Sequence, residues 1–312
     1  MLANMKETDN KLGNEPHTRT VEGEGEDDPG AKAAGDGNGV LWVVATPIGN
    51  LADLSARAID VLSHVDAILA EDTRVTRRLL DAYGIAGKLQ SLHEHNESFR
   101  AEALVVRLEQ GERLALVSDA GTPLLSDPGY QLVRCAQDRG VSVRVVPGPS
   151  AITAALSISA LPTRPFWFEG FLPARSAARR QRLRELSTLR GTLVFFEAPH
   201  RIKDCLADMV AELGAEREAA FARELSKRYE EVRRDTLGAL VDWFEQSLPR
   251  GEFVLLVHGA PQRDADHDQL MHVLECLLEV LPTRQAAAAA ARITGTRKNE
   301  AYALALTLKV DQ

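Results

Sequence analysis

Short apolar runs alternate with helical patterns five times between residues 40 and 159. The first run is Val40 to Ala45 and the last is Val141 to Val146. Such continuous apolar runs are typical of strands that are covered on both faces, and their alternation with helices predicts a parallel sheet with right-handed crossover connections. We therefore predict an α/β domain in this half of the chain.

Three of these strands end in loops that are rich in glycine and proline. The loops are residues 46–50 (TPIGN), 118–129 (SDAGTPLLSDPG) and 147–151 (PGPSA). Glycine lets a ligand approach the backbone, proline stiffens a loop, and open α/β sheets bind ligands at the carboxyl ends of their strands. No dinucleotide-binding, P-loop or nucleophile-elbow motif occurs, so these loops favour a neutral or zwitterionic cofactor over a polyphosphate. For any single loop, an ordinary strand-to-helix turn is the alternative.

A second set of elements begins after Pro162 and Pro165, where we place a domain boundary. We predict strands over 166–171, 193–196, 219–222 and 252–257, and helices from about residue 264 onward. The predicted fold is α/β with two α/β domains, 40–162 and 163–260, and a small C-terminal helical region, 261–312. Two short helices flank Gly295; they either contact nucleic acid or, as we favour, form a cap or a dimer contact.

The first 39 residues contain nine acidic and four basic residues and few large apolar residues. This composition predicts a disordered acidic tail, which accounts for most of the net charge of −8. No apolar run approaches the roughly 20 residues needed to span a bilayer, and no signal-peptide core is present, so we expect a cytoplasmic protein. The three cysteines are far apart, which predicts neither a disulfide framework nor a zinc knuckle.

Six arginines and a single acid, Glu185, lie between residues 175 and 190. The arginines are Arg175, Arg179, Arg180, Arg182, Arg184 and Arg190. A helix with a local charge of about +5 would attract a phosphate backbone, whereas a charge run is more often a solvated helix face. We favour nucleic acid as the partner.

His93 and His95 are two residues apart after a short predicted strand and could bind a metal together with Glu97. Because no third histidine or cysteine stands nearby, we favour polar residues at a strand end and predict no metal.

Seven segments together resemble the rRNA-methylating branch of the tetrapyrrole methylase superfamily. In chain order they are residues 46–50, 71–74, 93–96, 118–129, 147–151, 196–201 and 224–227. The resemblance implies a homodimer that binds S-adenosylmethionine in a cleft between two α/β domains and methylates the ribose 2′-oxygen of a cytidine in the decoding region of 16S rRNA. The tetrapyrrole enzymes carry Asp where this chain has Thr122, which argues against a tetrapyrrole substrate. A precorrin-type methyltransferase and a non-catalytic ribosome-associated RNA-binding protein are the alternatives.

The resemblance also implies the residues that touch the cofactor. They are Pro47, Ile48, Gly49, Thr122, Pro123, Leu125, Ser150, Ala151, Phe196, Ala222 and Phe253.

Methyl transfer to a hydroxyl needs alignment and removal of a weakly acidic proton, but no metal. Three glutamates end strands at the predicted cleft, each near a cation: Glu71 near Arg74, Glu197 near Arg201, and Glu224 near Lys227. We expect at least one to support catalysis, with a structural ion pair as the alternative for each. The expected contacts to RNA are Arg74, Arg179, Arg180, Arg182 and Arg201.

Overall fold

A computed structural model describes residues 39–310 of the protein, without the side chains of residues 262–266 and 309–310. The predicted acidic tail, apart from Gly39, lies outside the described residues. The described part contains two five-stranded sheets, each with its own helices, followed by three C-terminal helices.

The first sheet is entirely parallel, in the order β3-β2-β4-β1-β5, which confirms the prediction of a parallel sheet. Its strands are β1 (Val40–Val44), β2 (Ala67–Ala70), β3 (Leu89–Ser91), β4 (Arg113–Val117) and β5 (Ser142–Val146). Its helices are α1 (Ala56–His64), α2 (Thr73–Ala82), α3 (Glu94–Glu109), α4 (Tyr130–Asp138) and α5 (Ala151–Ile158).

Alternate residues of the central strands form the core under α3 and α4. Leu41, Leu69 and Leu114 are fully buried there together with Leu108. Since every strand of a parallel sheet ends at the same edge, this packing brings the loops after β1, β4 and β5 together.

The second sheet is mixed, in the order β6-β7-β10-β8-β9. Its strands are β6 (Phe166–Phe171), β7 (Thr192–Glu197), β8 (Glu218–Arg223), β9 (Glu231–Thr236) and β10 (Phe253–Val257). Its helices are α6 (Ser176–Leu186), α7 (Ile202–Leu213) and α8 (Leu237–Gln246). Because β10 is antiparallel to both neighbours, Phe253 at its start pairs with Glu197 at the end of β7 and with Arg223 at the end of β8.

Two local predictions differ from the structure. Strand β9 was not predicted, because its sequence is mostly charged; pairing with β8 places Glu231 against Arg223, so opposite charges face each other across the strands. The sequence predicts a helix over residues 98–110, but α3 begins at Glu94, because the side-chain oxygen of Asn96 accepts a hydrogen bond of 3.0 Å from the backbone N–H of His93.

Three helices end the chain: α9 (Gln262–Leu278), α10 (Thr283–Thr294) and α11 (Lys298–Val310). They share a small core in which Leu270 and Leu274 pack on alanines of α10 and α11. None of the described helices is both long and apolar enough to cross a lipid bilayer. The domain boundaries at 162 and 260 stay predictions.

The aromatic core of the second sheet provides a test of the packing. Phe221 is fully buried in β8, with ring centroids 5.1 Å from Phe244 and 5.8 Å from Phe253. We expect Phe221→Ala to lower the free energy of unfolding by about 3–5 kcal/mol, measured by urea unfolding with tryptophan fluorescence. Val145→Ala, at a side chain that is 57% exposed, should change it by no more than about 0.5 kcal/mol. Equal effects of the two substitutions would contradict this packing.

Candidate functional site

A cavity of about 530 Å³ lies between the strand ends of the two sheets. This volume is within the range of small-molecule sites. Loops of the first sheet line one side, and the ends of β7 and β8 together with the start of β10 line the other. The principal lining residues are Ile48, Gly121, Thr122, Leu125, Ser150 and Ala151 on the first side, and Phe196, Glu197, Glu224, Lys227, Phe253 and Val254 on the second.

Hydrogen bonds join the three glycine- and proline-rich loops into one wall. The backbone N–H of Thr46 donates to the Gly121 carbonyl at 2.8 Å, and the Gly121 N–H donates back to the Thr46 carbonyl at 3.0 Å. The hydroxyl of Thr122 donates to the carbonyl of Pro149 at 3.2 Å. Gly121 has a φ of +82°, a conformation that favours glycine. Ser150, directly before α5, makes no side-chain cap bond and lines the cavity.

The two sides of the site meet closely at Gly49. A Cβ atom at this position would lie 2.6 Å from the carbonyl oxygen of Leu225 and 2.6 Å from Cγ of Lys227. The loop that carries Leu225 is itself unusual, because Glu224 and Ser226 both have positive φ. Glycine at position 49 therefore allows the backbones of the two halves to touch beside the cavity.

Carboxylates gather on the first side of the site. Asp119 and Asp127 line the cavity, and Glu71 is close enough to interact with both. Burial raises the pKa of Asp127 to about 6, and the charge of Glu71 adds to the rise. Burial also raises the pKa of Glu71, with a contribution from Asp119. This wall suits a ligand that carries positive charge.

The second side contributes two further acids. Glu197 is only 2% exposed; its Oε1 accepts a hydrogen bond of 2.8 Å from the Ala198 N–H and lies 3.2 Å from Nε of Arg201. Its Oε2 has no hydrogen-bond partner within the described part of the chain. In contrast, Glu224 is paired with Lys227, at 3.0 Å between Oε1 and Nζ. Glu197 is thus a buried carboxylate at the edge of the cavity, beside the thiol of Cys205, whose pKa is raised by burial and by the charge of Glu197.

The structure brings most of the predicted site residues together. Those that line the cavity are Ile48, Thr122, Leu125, Ser150, Ala151, Phe196, Phe253, Glu197, Glu224 and Lys227. Pro47, Gly49 and Pro123 adjoin lining residues in sequence, and Ala222 is buried beneath the site in a cluster with Phe196.

Glu71 and Arg74 lie outside the cavity lining. Arg74 is exposed and paired with Asp72 at 2.7 Å, and its guanidinium lowers the pKa of Asp72 to about 2. Arg201 donates a hydrogen bond of 2.7 Å to the carbonyl of Leu172. Arg74 and Arg201 thus have protein partners already.

Sequence reasoning missed several lining residues, among them Asp119, Asp127, Phe171, His200 and Glu252. The two aspartates stood in the loop that the sequence singled out, so their charge was a usable signal. His200 also stood in a segment that the sequence singled out, residues 196–201. Phe171 and Glu252 gave no such signal, because their place at the cavity follows from the pairing of β6, β7 and β10.

The arginine-rich helix α6 does not form the free cationic surface that was predicted. Arg179 is 4% exposed and donates to Asp208 at 2.7 Å, so it is buried rather than available to RNA. Arg180 donates to Glu212 at 2.6 Å, a bond that also holds the pKa of Glu212 below its usual range.

Further acids pair with the rest of this helix. Arg182 donates to Glu169 at 2.6 Å, and Arg184 also reaches Glu212, at 3.0 Å. Glu169 belongs to β6 and Glu212 to α7, so a charge count over residues 175–190 could not include them.

Glu97 has a structural contact rather than a free carboxylate. It is buried, and its Oε1 accepts hydrogen bonds from the N–H groups of Gln131 (2.7 Å) and Leu132 (3.1 Å) in the first turn of α4. Within the described residues, no three His, Cys, Asp or Glu side chains are placed to hold a metal ion.

Comparison with known proteins identifies relatives along most of the chain. Residues 40–241 match the family model of Tetrapyrrole (Corrin/Porphyrin) Methylases, and residues 264–309 match the model of the RsmI C-terminal HTH domain. Ribosomal RNA small subunit methyltransferase I of Pseudomonas aeruginosa is 50% identical over 86% of this chain and 97% of its own length. The protein of the same name from Escherichia coli O157:H7 is 46% identical over 88% and 97%.

Solved structures show the same fold at low sequence identity. The methyltransferase CobJ aligns with a TM-score of 0.53 and 20% identity, over 71% of this chain and 95% of its own. Diphthine synthase aligns with a TM-score of 0.53 and 16% identity, over 71% and 90%. These likenesses support the two-domain α/β architecture.

The raised pKa of Asp127 predicts a pH-dependent effect on stability. The folded state holds this proton more tightly than the unfolded chain does, so Asp127 lowers stability as the pH rises from about 4 to about 6. We expect Asp127→Asn to raise the free energy of unfolding at pH 8 by about 1 kcal/mol, allowing for partial exposure, and the gain to vanish near pH 4.

Urea unfolding at pH 4 and pH 8 measures this difference. Asp81→Asn, at an exposed carboxylate of α2, controls for the loss of one negative charge. If Asp127→Asn raised the free energy of unfolding equally at both pH values, the raised pKa of Asp127 would be contradicted.

Proposed function

The chain belongs to the tetrapyrrole methylase family, and from this premise we propose that it transfers a methyl group from S-adenosylmethionine to the rRNA of the small ribosomal subunit. The proposal rests on one observation: the cavity lies at the seam of two α/β units in a chain that is 44–50% identical to rRNA small subunit methyltransferases I. The seven motifs carry the finer assignment, to the ribose 2′-oxygen of a cytidine in the decoding region of 16S rRNA. A homodimer in the cytoplasm is part of the same proposal.

The residues of the cavity fit this cofactor. Apolar side chains such as Ile48, Leu125 and Val254 suit its adenine and its carbon chain, and the carboxylates of Asp119 and Asp127 suit its sulfonium and ammonium groups. Gly121 leaves the backbone of the second loop open to close approach. When bound, S-adenosylmethionine supplies an activated methyl group on a sulfonium centre.

The chain itself has to orient the ribose and accept the proton of its 2′-hydroxyl. Of the three glutamates considered from sequence, Glu197 suits this role best, because it lines the cavity and its Oε2 is buried without a partner. Both Glu197 and Glu224 are paired with a cation, Arg201 and Lys227 respectively, but only Glu197 has a buried oxygen without a hydrogen-bond partner in the described part of the chain. Glu71 acts on the site indirectly, through its charge beside Asp127.

Thr122 supports an RNA substrate over a tetrapyrrole. Its hydroxyl donates to the Pro149 carbonyl, whereas the ionised aspartate of the tetrapyrrole enzymes at this place has no proton to donate. The threonine therefore serves to join the second and third loops of the wall.

The substrate assignment predicts the position of the transferred methyl group. We expect labelled S-adenosylmethionine and small subunits from a strain lacking the enzyme to yield one labelled cytidine in the decoding region. Its ribose modification should block alkaline cleavage of the adjacent phosphodiester, because the 2′-oxygen is the internal nucleophile. Subunits from a strain that has the enzyme provide the control. Label on a base, or on free precorrin instead of RNA, would contradict the proposal.

The proton-acceptor assignment predicts a selective loss of turnover. We expect Glu197→Gln to lower kcat by about 100-fold or more, the usual contribution of a general base, while cofactor affinity measured by calorimetry changes little. Glu71→Gln serves as the comparison variant, and circular dichroism checks that each variant folds. The assignment to Glu197 fails if Glu197→Gln leaves turnover at the wild-type level, and the wider expectation that one of the three glutamates supports catalysis fails if Glu71→Gln and Glu224→Gln do so too.

A further inference from the structure

Several cations of the C-terminal helices have no ion pair among the described residues, and three of them lie close together in sequence. Arg292, Arg297 and Lys298 are exposed, and the structure gives them no ion pair among the residues it describes. Glu300 is the only acid between residues 283 and 308. In α6 the arginines are bound to acids of β6 and α7, whereas these three cations have no acidic partner in the described part of the chain.

These three cations surround one ordered bend. Gly295 ends α10 with a φ of +74°, in the left-handed conformation. The hydroxyl of Thr294 is bonded to the Ala290 carbonyl (2.9 Å) and to the hydroxyl of Thr296 (2.8 Å). The carbonyl of Arg297 accepts from the N–H of Glu300 at 3.0 Å, at the start of α11. The bend therefore holds the cations at a fixed junction of two helices.

Small side chains bring these two helices into close contact. Ala290 and Ala291 of α10 pack with Ala301 and Ala305 of α11 in a core that also contains leucines of α9. The arrangement is a helix-turn-helix, and the matching family model bears that name. In this motif, residues near the start of the second helix are the ones that meet nucleic acid.

Positive and negative charges lie on different parts of the C-terminal helices. Tyr302 is 42% exposed and follows Lys298 by four residues, so the two lie on one face of α11. Asp268 and Glu275 are exposed on α9, and Glu279, directly after its end, is exposed as well. A phosphate backbone would be attracted to the bend and repelled by α9.

We propose that a turn surface, formed by Arg292, Arg297, Lys298 and Tyr302, binds the RNA substrate. The three cations contact phosphates, and the ring of Tyr302 stacks on an unpaired base. The choice of RNA over DNA rests on the proposed function, whereas the binding itself rests on the charges. The turn surface thereby supplies the affinity that the paired arginines of α6 do not.

Anisotropy of a labelled RNA hairpin, measured with the full chain over a range of salt concentrations, tests this proposal. We expect the triple variant R292Q/R297Q/K298Q to raise the Kd at least 10-fold and to lower the slope of log Kd against log salt by about 2, since each phosphate contact contributes about 0.7–0.9. Tyr302→Ala should raise the Kd about 5-fold or more without changing that slope. Calorimetry with S-adenosylmethionine should be unchanged in both.

Arg284→Gln is the matched control, because it removes the same charge from α10 at eight residues, about 12 Å, from Arg292. A single variant, Arg292→Gln, should weaken binding more than Arg284→Gln. The proposal would be overturned if these two single variants raised the Kd equally. It would also be overturned if the slope of log Kd against log salt fell in R180Q/R182Q but not in the triple variant.

Tighter binding to a DNA duplex of equal length would overturn the choice of RNA. If the wild-type chain binds RNA through this surface but transfers no methyl group to RNA, the proposed function is wrong and the RNA-binding role of the turn surface is still supported.

Discussion

The pair of backbone hydrogen bonds between Thr46 and Gly121 is the interaction on which the site depends most. The loops after β1 and β4 are separate in sequence, and this pair, with the Thr122 to Pro149 bond, makes them and the loop after β5 a single wall. A loop whose backbone groups are satisfied internally is fixed before a ligand arrives, so binding need not order it. The cavity is therefore shaped by the chain alone.

The site also holds conformations and charges that do not favour stability. Leu124, Ser126, Glu224 and Ser226 have positive φ without being glycine, and all lie in the two loops that face each other across the cavity. Such residues cost roughly 1–3 kcal/mol each and persist where the surrounding structure determines them. The buried carboxylate of Asp127 adds an electrostatic cost at neutral pH. Their common location supports a functional reason for tolerating them.

Local patterns predicted most of the fold, and tertiary pairing explains the rest. The strand–helix alternation identified the parallel sheet, and the seven motifs identified the family, which the comparisons confirmed. Strand β9 was missed because its charges are matched only after it pairs with β8. The lining residues Phe171 and Glu252 likewise depend on strand order. The carboxylates of Asp119 and Asp127 were visible, but their raised pKa values depend on burial that no local pattern encodes.

The same distinction applies to positive charge. A run of arginines indicates nucleic acid only if no acid elsewhere in the fold neutralises it, and Asp208 and Glu212 do so for α6. The net charge of −8 gives no long-range attraction to RNA, and salt screens charges that are more than a Debye length of about 8 Å apart, so attraction has to come from cations at the contact surface. A few unpaired cations at a rigid bend can provide it, because their field acts at contact distance. Methyl transfer would then depend on the cleft and RNA affinity on the C-terminal helices. A substitution in one of these places could therefore abolish one property and leave the other intact.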